Sequence, residues 1–275
     1  MRETNRTRRR LLAALLTGAA LPIPTRAEDG DTPEALRNPL LWAVAWKQTA
    51  AEYRALCYQA WNVARLLIER ALAERDERPL CVIMDVDDTV LHAGSYWGYL
   101  VAEDRDFFDD AIWDAWIPQN LATPVPGALD FCRYCESNGV EIFYVTSRDQ
   151  GRQTYQHART QLQALGFPRA DDGHLTVLRE TSDKSATRER IAQTHRVVLL
   201  VGDNLNDYKR DYYLQDVDER LSLVDRDRED YGRTFIVLPN PTDGHWVRAI
   251  FGESEPAPTD ANRRLLRAAA TRGAW

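Results

Sequence analysis

Asp85 and Asp87 stand one residue apart, directly after the apolar run Cys81-Val82-Ile83-Met84. Two carboxylates this close repel each other unless a cation or a shared proton offsets them. An oxygen-only ligand set suits a hard divalent cation, and Mg2+ in particular. Further along, Thr146 closes the largely apolar stretch Val140 to Val145, Lys184 opens a helical pattern, and Asp203 and Asp207 follow the run Arg196 to Val201. A hydroxyl, an ammonium and two more carboxylates complement the first pair in one kind of chemistry, phosphoryl transfer. Asp85, held by metal, is placed to attack phosphorus and form an aspartyl phosphate. Asp87 is placed to protonate the leaving oxygen and later to take a proton from water. Thr146 and Lys184 would bind the phosphoryl oxygens, where positioned charge matters most. Asp203 would complete the metal shell, with Asp207 one helical turn on, supporting that shell or acting through water. The candidate metal residues are therefore Asp85, Asp87, Asp203 and Asp207. Each group also has a purely structural account: Thr146 as a helix cap, Lys184 as a solvated charge, the aspartates as turn formers. Their joint occurrence at the ends of separate strands argues for a site.

The elements that must carry these groups alternate along the chain. Strands are expected at about 80–86, Val140 to Val145, Leu175 to Leu178, Arg196 to Val201 and Thr234 to Leu238, with helical patterns between them. Continuous apolar runs read as strands buried on both faces, so the fold class is α/β, a Rossmann-like, doubly wound parallel sheet. Chemistry in such sheets collects at the carboxyl ends of the strands. Two helices, roughly 39–48 and 50–75, precede the first strand, with Asn38-Pro39 as a start signal and Thr49-x-x-Glu52 as a capping box. Their stripe of Trp42, Trp46, Tyr53, Cys57 and Trp61 is either a packing face or a stacking platform. Between His92 and Val125 lies an insertion rich in aromatics, including Tyr96, Trp97, Trp113 and Trp116. It reads as a lid or cap over the strand end, or as packed helical turns. The division expected is a signal peptide over 1–27, a helical region over 28–79, an α/β core over 80–250 carrying the insertion at about 92–125, and a helical tail over 251–275.

The first 27 residues differ from the rest. Arg2, Arg6, Arg8, Arg9 and Arg10 precede a short apolar run from Leu11 to Leu21, and Thr25-Arg26-Ala27 supplies small residues for cleavage. That is a secretory signal, too short to span a bilayer comfortably. Thr7-Arg8-Arg9-Arg10-Leu11-Leu12 also has the look of a twin-arginine signal. The first cysteine is Cys57, so no lipobox marks a membrane anchor, and the expected location is periplasmic or secreted. Removing residues 1–27, with six Arg and one Glu, leaves 29 basic and 41 acidic side chains, a net charge of −12. Such a chain disfavours a nucleic-acid polymer or an anionic membrane as partner. A small phosphate ester held by a few local cations fits it. Of Cys57, Cys81, Cys132 and Cys135, the Cys132-x-x-Cys135 pair falls in a helical pattern and makes no zinc site by itself; no bridge is assigned.

Asp85-x-Asp87-x-Thr89, Thr146, Lys184 and Gly202-Asp203-x-x-x-Asp207 resemble the four motifs of the haloacid dehalogenase-like superfamily. Within it, the chain is similar to the class C bacterial acid phosphatases, secreted or lipoprotein 5′-nucleotidases with four signature aspartates. Tyr58-Gln59-Ala60-Trp61-Asn62-Val63-Ala64, Ala122-Thr123-Pro124-Val125-Pro126-Gly127 and Phe235-Ile236-Val237-Leu238-Pro239-Asn240 resemble further family segments. The resemblance implies a Rossmann-like core with a helical cap or accessory domain. It also implies Mg2+ held by the Asp85 and Asp203 carboxylates and the Asp87 backbone carbonyl, and substrate-facing aromatics in the region of Tyr96 and Trp97. Two departures stand out. His92-Ala93 replaces an expected Asp-Asn, and Asp243 replaces an aromatic before Gly244-His245-Trp246. The first bears on the floor of the lid, the second on nucleobase stacking.

The activity expected is an exported Mg2+-dependent phosphomonoesterase acting on nucleoside monophosphates and aryl phosphates. A phosphotransferase on the same fold, or a non-catalytic storage or scaffold protein, are the alternatives. A homo-oligomer is compatible with the sequence, which does not fix its order.

Overall fold

A computed structural model describes residues 38–74 and 76–273. The expected signal segment over 1–27, its twin-arginine reading and residues 28–37 lie outside the described residues. Five strands form one sheet: β1 Leu80–Met84, β4 Glu141–Ser147, β5 Leu175–Leu178, β6 Arg196–Gly202 and β7 Phe235–Val237. Their order is β5-β4-β1-β6-β7, and every neighbouring pair is parallel. β1 is central. The chain runs outward from it to β4 and β5, then returns to lay β6 and β7 on its other side. The carboxyl end of β1 is therefore the switch point at which doubly wound sheets bind ligands.

The apolar run of β1 is continuous because both faces are covered. Val82 and Met84 enter the larger core cluster, whereas Cys81 and Ile83 enter a smaller one with Phe143, Val145 and Ile191. Helix α2, Ala51–Ala73, buries Tyr53, Cys57, Trp61, Ala64 and Ile68 along one face. Trp61 stacks on Phe131 with ring centroids 5.1 Å apart. The aromatic stripe is thus a packing face; only Trp42, 86% exposed, stands outside it. Helix α1, Leu40–Thr49, starts as expected, with Asn38 Oδ1 accepting from Leu40 N at 2.9 Å. The capping box at Thr49 does not form. Thr49 is the last residue of α1, its hydroxyl donates back to Ala45 O at 2.6 Å, and the extended Ala50 separates the two helices.

The insertion holds helices α3, Gly94–Ala102, and α4, Asp110–Trp116, closed at its base by a short antiparallel ribbon of β2, Leu91–His92, and β3, Thr123–Pro124. Its aromatics form their own small core. The Tyr96 ring lies 5.0 Å from Trp97 and 4.9 Å from Trp113, both edge-on. The remaining helices are α5 Ala128–Ser137, α6 Thr154–Ala164, α7 Ser185–Ala192, α8 Val217–Arg226, α9 Trp246–Phe251 and α10 Asp260–Ala270. Gly127 precedes α5 at φ 86°, and a methyl group there would meet Trp61 Cδ1 at 2.8 Å, so glycine serves both the turn and the approach of α2. All four cysteines are buried and unpaired. Among the described residues no helix is long and apolar enough to cross a membrane.

Candidate active site

Asp85 leaves β1 with its backbone N–H donated to Val201 O of β6 at 2.9 Å, which fixes it between the two central strands. Asp203 follows β6. Asp207 ends a tight 3-10 turn, Leu205–Asp207, in which Asn204 N donates to Asp207 Oδ2 at 3.1 Å. The turn folds Asp207 back over Gly202 so closely that a methyl group at Gly202 would lie 2.2 Å from Asp207 Oδ2. Glycine is required here by space. The result is a cluster in which one carboxylate oxygen from each of Asp85, Asp203 and Asp207 lies within 4.8 Å of the others. Asp207 stands in this cluster rather than behind it.

The same three residues show why a cation belongs here. Burial pushes the Asp85 carboxyl up to about 7, with Lys184 opposing and Asp207 and Asp87 adding to the shift. Burial, then the charges of Asp207 and Asp85, hold Asp203 well above its ordinary range. Lys184 Nζ bridges Asp85 Oδ1 and Asp207 Oδ1, the latter at 2.7 Å. Burial alone would lower its ammonium, yet Asp207 and Asp85 together hold it above its ordinary value. One lysine does not balance three carboxylates, two of them buried. A divalent cation would, and the donors are all oxygen, so the residues fit one. Asp203 is already oriented: Thr89 Oγ1 donates to its Oδ1 at 3.0 Å and Asn240 Nδ2 to its Oδ2 at 2.8 Å.

The Asp87 carboxylate stands apart from the cluster and faces Arg148, which donates from Nε to Oδ2 at 2.6 Å and from Nη2 to Oδ1 at 2.5 Å. Arg148 is itself held by Gln161 Oε1 at 2.7 Å. Thr146, almost fully buried, donates its hydroxyl to Asp87 Oδ2 at 3.3 Å. The structure therefore brings together Asp85, Asp87, Thr146, Lys184, Asp203 and Asp207, all lining one cavity of about 550 Å3. Sequence reasoning missed Arg148, Asn240 and the buried pair of Asp88 with Lys47, whose Nζ lies 2.5 Å from Asp88 Oδ2. Arg148 stood two residues past Thr146 at a strand end, where a guanidinium suits an oxyanion site. Lys47 lay on the stripe of α1 three residues after Val44, a position that a solvated lysine does not take.

The cap closes the far side of the cavity. Trp97 lines it, although only 2% exposed, and its Nε1 points to Asp88 Oδ2 at 3.4 Å. Tyr96 does not line it. The Tyr96 ring is fully buried and its hydroxyl accepts from Asp109 N at 2.9 Å. The other aromatic walls are Phe108 and Trp113, which the sequence marked only as aromatics of the insertion, and Tyr213, which it did not mark. Asp110, Trp113 and Asp114 share one face of α4 at helical spacing and all reach the cavity. Of the two departures, His92 takes no part in the cavity: its Nδ1 accepts from Gly94 N at 3.1 Å at the base of the cap. Asp243 lines the cavity, and burial first, with Asp88 and Asp87 adding, pushes its carboxyl up to about 6. His245, next to it, is lowered to about 4 by burial and by the surrounding cations, Arg210 first.

Comparison with known proteins agrees with this geometry. Residues 25–246 match the family model for the HAD superfamily, subfamily IIIB (acid phosphatase). Two solved structures of the class C acid phosphatase from Bacillus anthracis are similar to the chain over 85% of its length and 97% of theirs. One superposes with a TM-score of 0.78 at 31% identity. The other, with tungstate bound, gives a TM-score of 0.77 at 30% identity. With a family model spanning most of its length and its carboxylates gathered at the switch point, this chain belongs to subfamily IIIB of the HAD superfamily, the acid phosphatases.

Proposed function

We propose that this phosphatase hydrolyses small-molecule phosphomonoesters with Mg2+ as its cation and with Asp85 as the nucleophile of a covalent aspartyl-phosphate cycle. The observation that carries the reading is the gathering of Asp85, Asp203 and Asp207 within 4.8 Å beside Lys184. The Asp85 and Asp203 carboxylates, with Asp207 beside them and the Asp87 carbonyl as a further oxygen, would hold the ion, which when bound neutralises charge on the phosphoryl oxygens. The relative that holds tungstate, a tetrahedral oxyanion like phosphate, supports an oxyanion site.

In the first half of the cycle an Asp85 oxygen bonds to phosphorus, the ester P–O bond breaks, and the departing oxygen takes a proton from Asp87. In the second half Asp87 takes a proton from water, the water oxygen bonds to phosphorus, and the Asp85–phosphorus bond breaks. Asp85 is freed, Asp87 is again protonated, and the products are the alcohol and inorganic phosphate. Lys184 and Thr146 hold the transferring oxygens. Arg148, paired with both Asp87 oxygens, orients Asp87 as the carboxylate that takes the proton from water and closes the same side of the phosphate.

The cavity above sets the leaving group. Phe108 and Trp113 offer faces for a nucleobase or aryl ring. Asp110, Asp114, Asp243 and Glu255 line the same wall, and among the described residues none of them is ion-paired. Arg148 and Lys184 pair with Asp87, Asp85 and Asp207, and Arg179 pairs with Asp149 at 2.7 Å. A leaving group that carries a second phosphate meets unbalanced negative charge from Asp110 and Asp114, joined by Asp243 above about 6 and Glu255 above about 7, so nucleoside monophosphates and aryl phosphates fit better than diphosphates. Phosphate release from a matched panel of monophosphates, diphosphates, sugar phosphates and an aryl phosphate, with Mg2+ or with chelator, tests the reading; undiminished turnover in excess chelator would overturn the cation assignment. Export is part of the proposal and rests on residues 1–27. A reporter that is active only after cytoplasmic folding, fused to residues 1–30, should leave the cytoplasm, and changing Arg8, Arg9 and Arg10 together to Lys should stop it if the twin-arginine route is used.

A further inference from the structure

Lys47 is 2% exposed and sits behind the cavity, not in its wall. Its ammonium has three donor hydrogens and no acceptor. It donates to Thr242 Oγ1 at 2.9 Å and Asn240 Oδ1 at 3.0 Å and forms an ion pair with Asp88 Oδ2 at 2.5 Å. These partners come from two different strand ends, the loop after β1 and the loop after β7. A helix that precedes the whole α/β core thus supplies the charge that joins them.

The consequence falls on Asn240. Its Oδ1 accepts from Lys47, from Thr242 N at 3.1 Å and from Thr242 Oγ1 at 2.7 Å. Two of those donors, an ammonium and a backbone N–H, cannot accept in return, so the amide has only one workable sense. Its nitrogen end must face the other way, and there it meets Asp203 Oδ2 at 2.8 Å and Asp88 Oδ2 at 3.4 Å. With the amide turned over, its oxygen would face the Asp203 carboxylate. Asp88 sits at φ 53° and also accepts from Ala93 N at 3.0 Å, so the same pair ties the base of the cap to this network.

We infer that Lys47 is a positioning residue for the carboxylate cluster: by fixing the sense of the Asn240 amide it orients Asp203 for a divalent cation. The inference rests on the proposed cation site. Partners one layer behind metal-binding side chains commonly change metal affinity by about 10- to 100-fold. A residue that served only to stabilise the fold would lower the melting temperature equally with and without metal.

The full chain, stripped with chelator and titrated with MgCl2 by calorimetry, tests this. Lys47→Met should weaken Mg2+ binding at least about tenfold and shrink the magnesium-induced rise in melting temperature. The loss in turnover should lie in the magnesium half-saturation, with KM for an aryl phosphate little moved. Asn240→Leu should cause a similar loss, and Lys47→Met should add nothing in the Asn240→Leu background, because both act through one amide. If Lys47→Met does not fold, Lys47→Met/Asp88→Asn removes both buried charges, keeps the Ala93 contact, and should show the same loss. A folded variant whose Mg2+ affinity stays within twofold of wild type, or losses that add in the double variant, would overturn the inference alone. A wild-type chain that takes up no Mg2+ would overturn the cation site and this inference together.

Discussion

Arg148 grips Asp87 through two parallel hydrogen bonds, 2.5 and 2.6 Å long. The guanidinium is 1% exposed at its side chain, and Gln161 holds its remaining face. A lysine keeps the charge and loses the fork. Arg148→Lys should therefore lower kcat/KM by roughly 10- to 100-fold through misplacement of Asp87. Steady-state kinetics on an aryl phosphate checks this, and Gln161→Leu should shift kcat/KM in the same direction by a smaller factor.

Asp85→Asn cannot form an acyl phosphate, and its turnover should fall by orders of magnitude while the fold persists. Circular dichroism and a fluoride-based phosphoryl mimic distinguish the two readings of a dead enzyme. The mimic should bind the wild-type chain with Mg2+ present and should not bind Asp85→Asn. A variant with near wild-type turnover would remove the covalent step from the mechanism.

Asp203→Asn removes one of three charged oxygens from the cluster. It should cut activity severely, and excess Mg2+ should recover part of it, because affinity is lost before chemistry. Calorimetric Mg2+ titration beside the rate measurement separates the two effects.

Asp243 carries a carboxyl raised to about 6, chiefly by burial. A carboxylate with a folded-state value above its unfolded value stabilises the fold in its protonated form. That contribution is complete at acid pH, below the ordinary carboxylate range, and is lost as pH rises through about 6. Asn mimics the neutral acid. Asp243→Asn should then leave stability nearly unchanged at acid pH and raise it above the folded-state value, by on the order of 1–2 kcal/mol after allowance for the partly open side chain. Thermal melts across that range measure the difference. His245, lowered to about 4 chiefly by burial, titrates with the opposite sign across much of the same window, losing stability as pH falls from the ordinary histidine range; that contribution is common to both chains and cancels in the difference.

Leaving-group selectivity should follow Phe108 and Trp113 rather than Tyr96. Loss of a stacking ring costs roughly 1–3 kcal/mol per base, so Phe108→Leu or Trp113→Leu should weaken a nucleoside monophosphate selectively over a small sugar phosphate. Tyr96→Phe should affect both substrates alike, since its hydroxyl serves only Asp109. A selective effect of Tyr96→Phe would show that the cap moves enough to expose it.

The sheet was legible in the amino-acid sequence through physics that is local. A strand covered on both faces must be apolar through its covered part, so Cys81 to Met84 and Ile142 to Val145 declared themselves as interior strands. The order of helices and strands left few ways to wind them. Asp85, Asp87, Thr146, Lys184, Asp203 and Asp207 stood out in the sequence as candidates because each follows a strand end or opens a helix, and all six line one cavity. Which partner each group meets depends on contacts made only in the folded chain. Asp207 joins Asp85 and Asp203 because a 3-10 turn closes over Gly202, a contact set by space and not by periodicity. Arg148 and Lys47 pair across 61 residues for Arg148 with Asp87 and 193 for Lys47 with Asn240. No window of sequence carries separations that long. The cap's aromatics were visible as types, but only packing decided that Tyr96 fills its interior while Phe108 and Trp113 face the cavity. A ring's burial depends on every neighbour around it, and those neighbours come from elements that the chain brings together only when it folds.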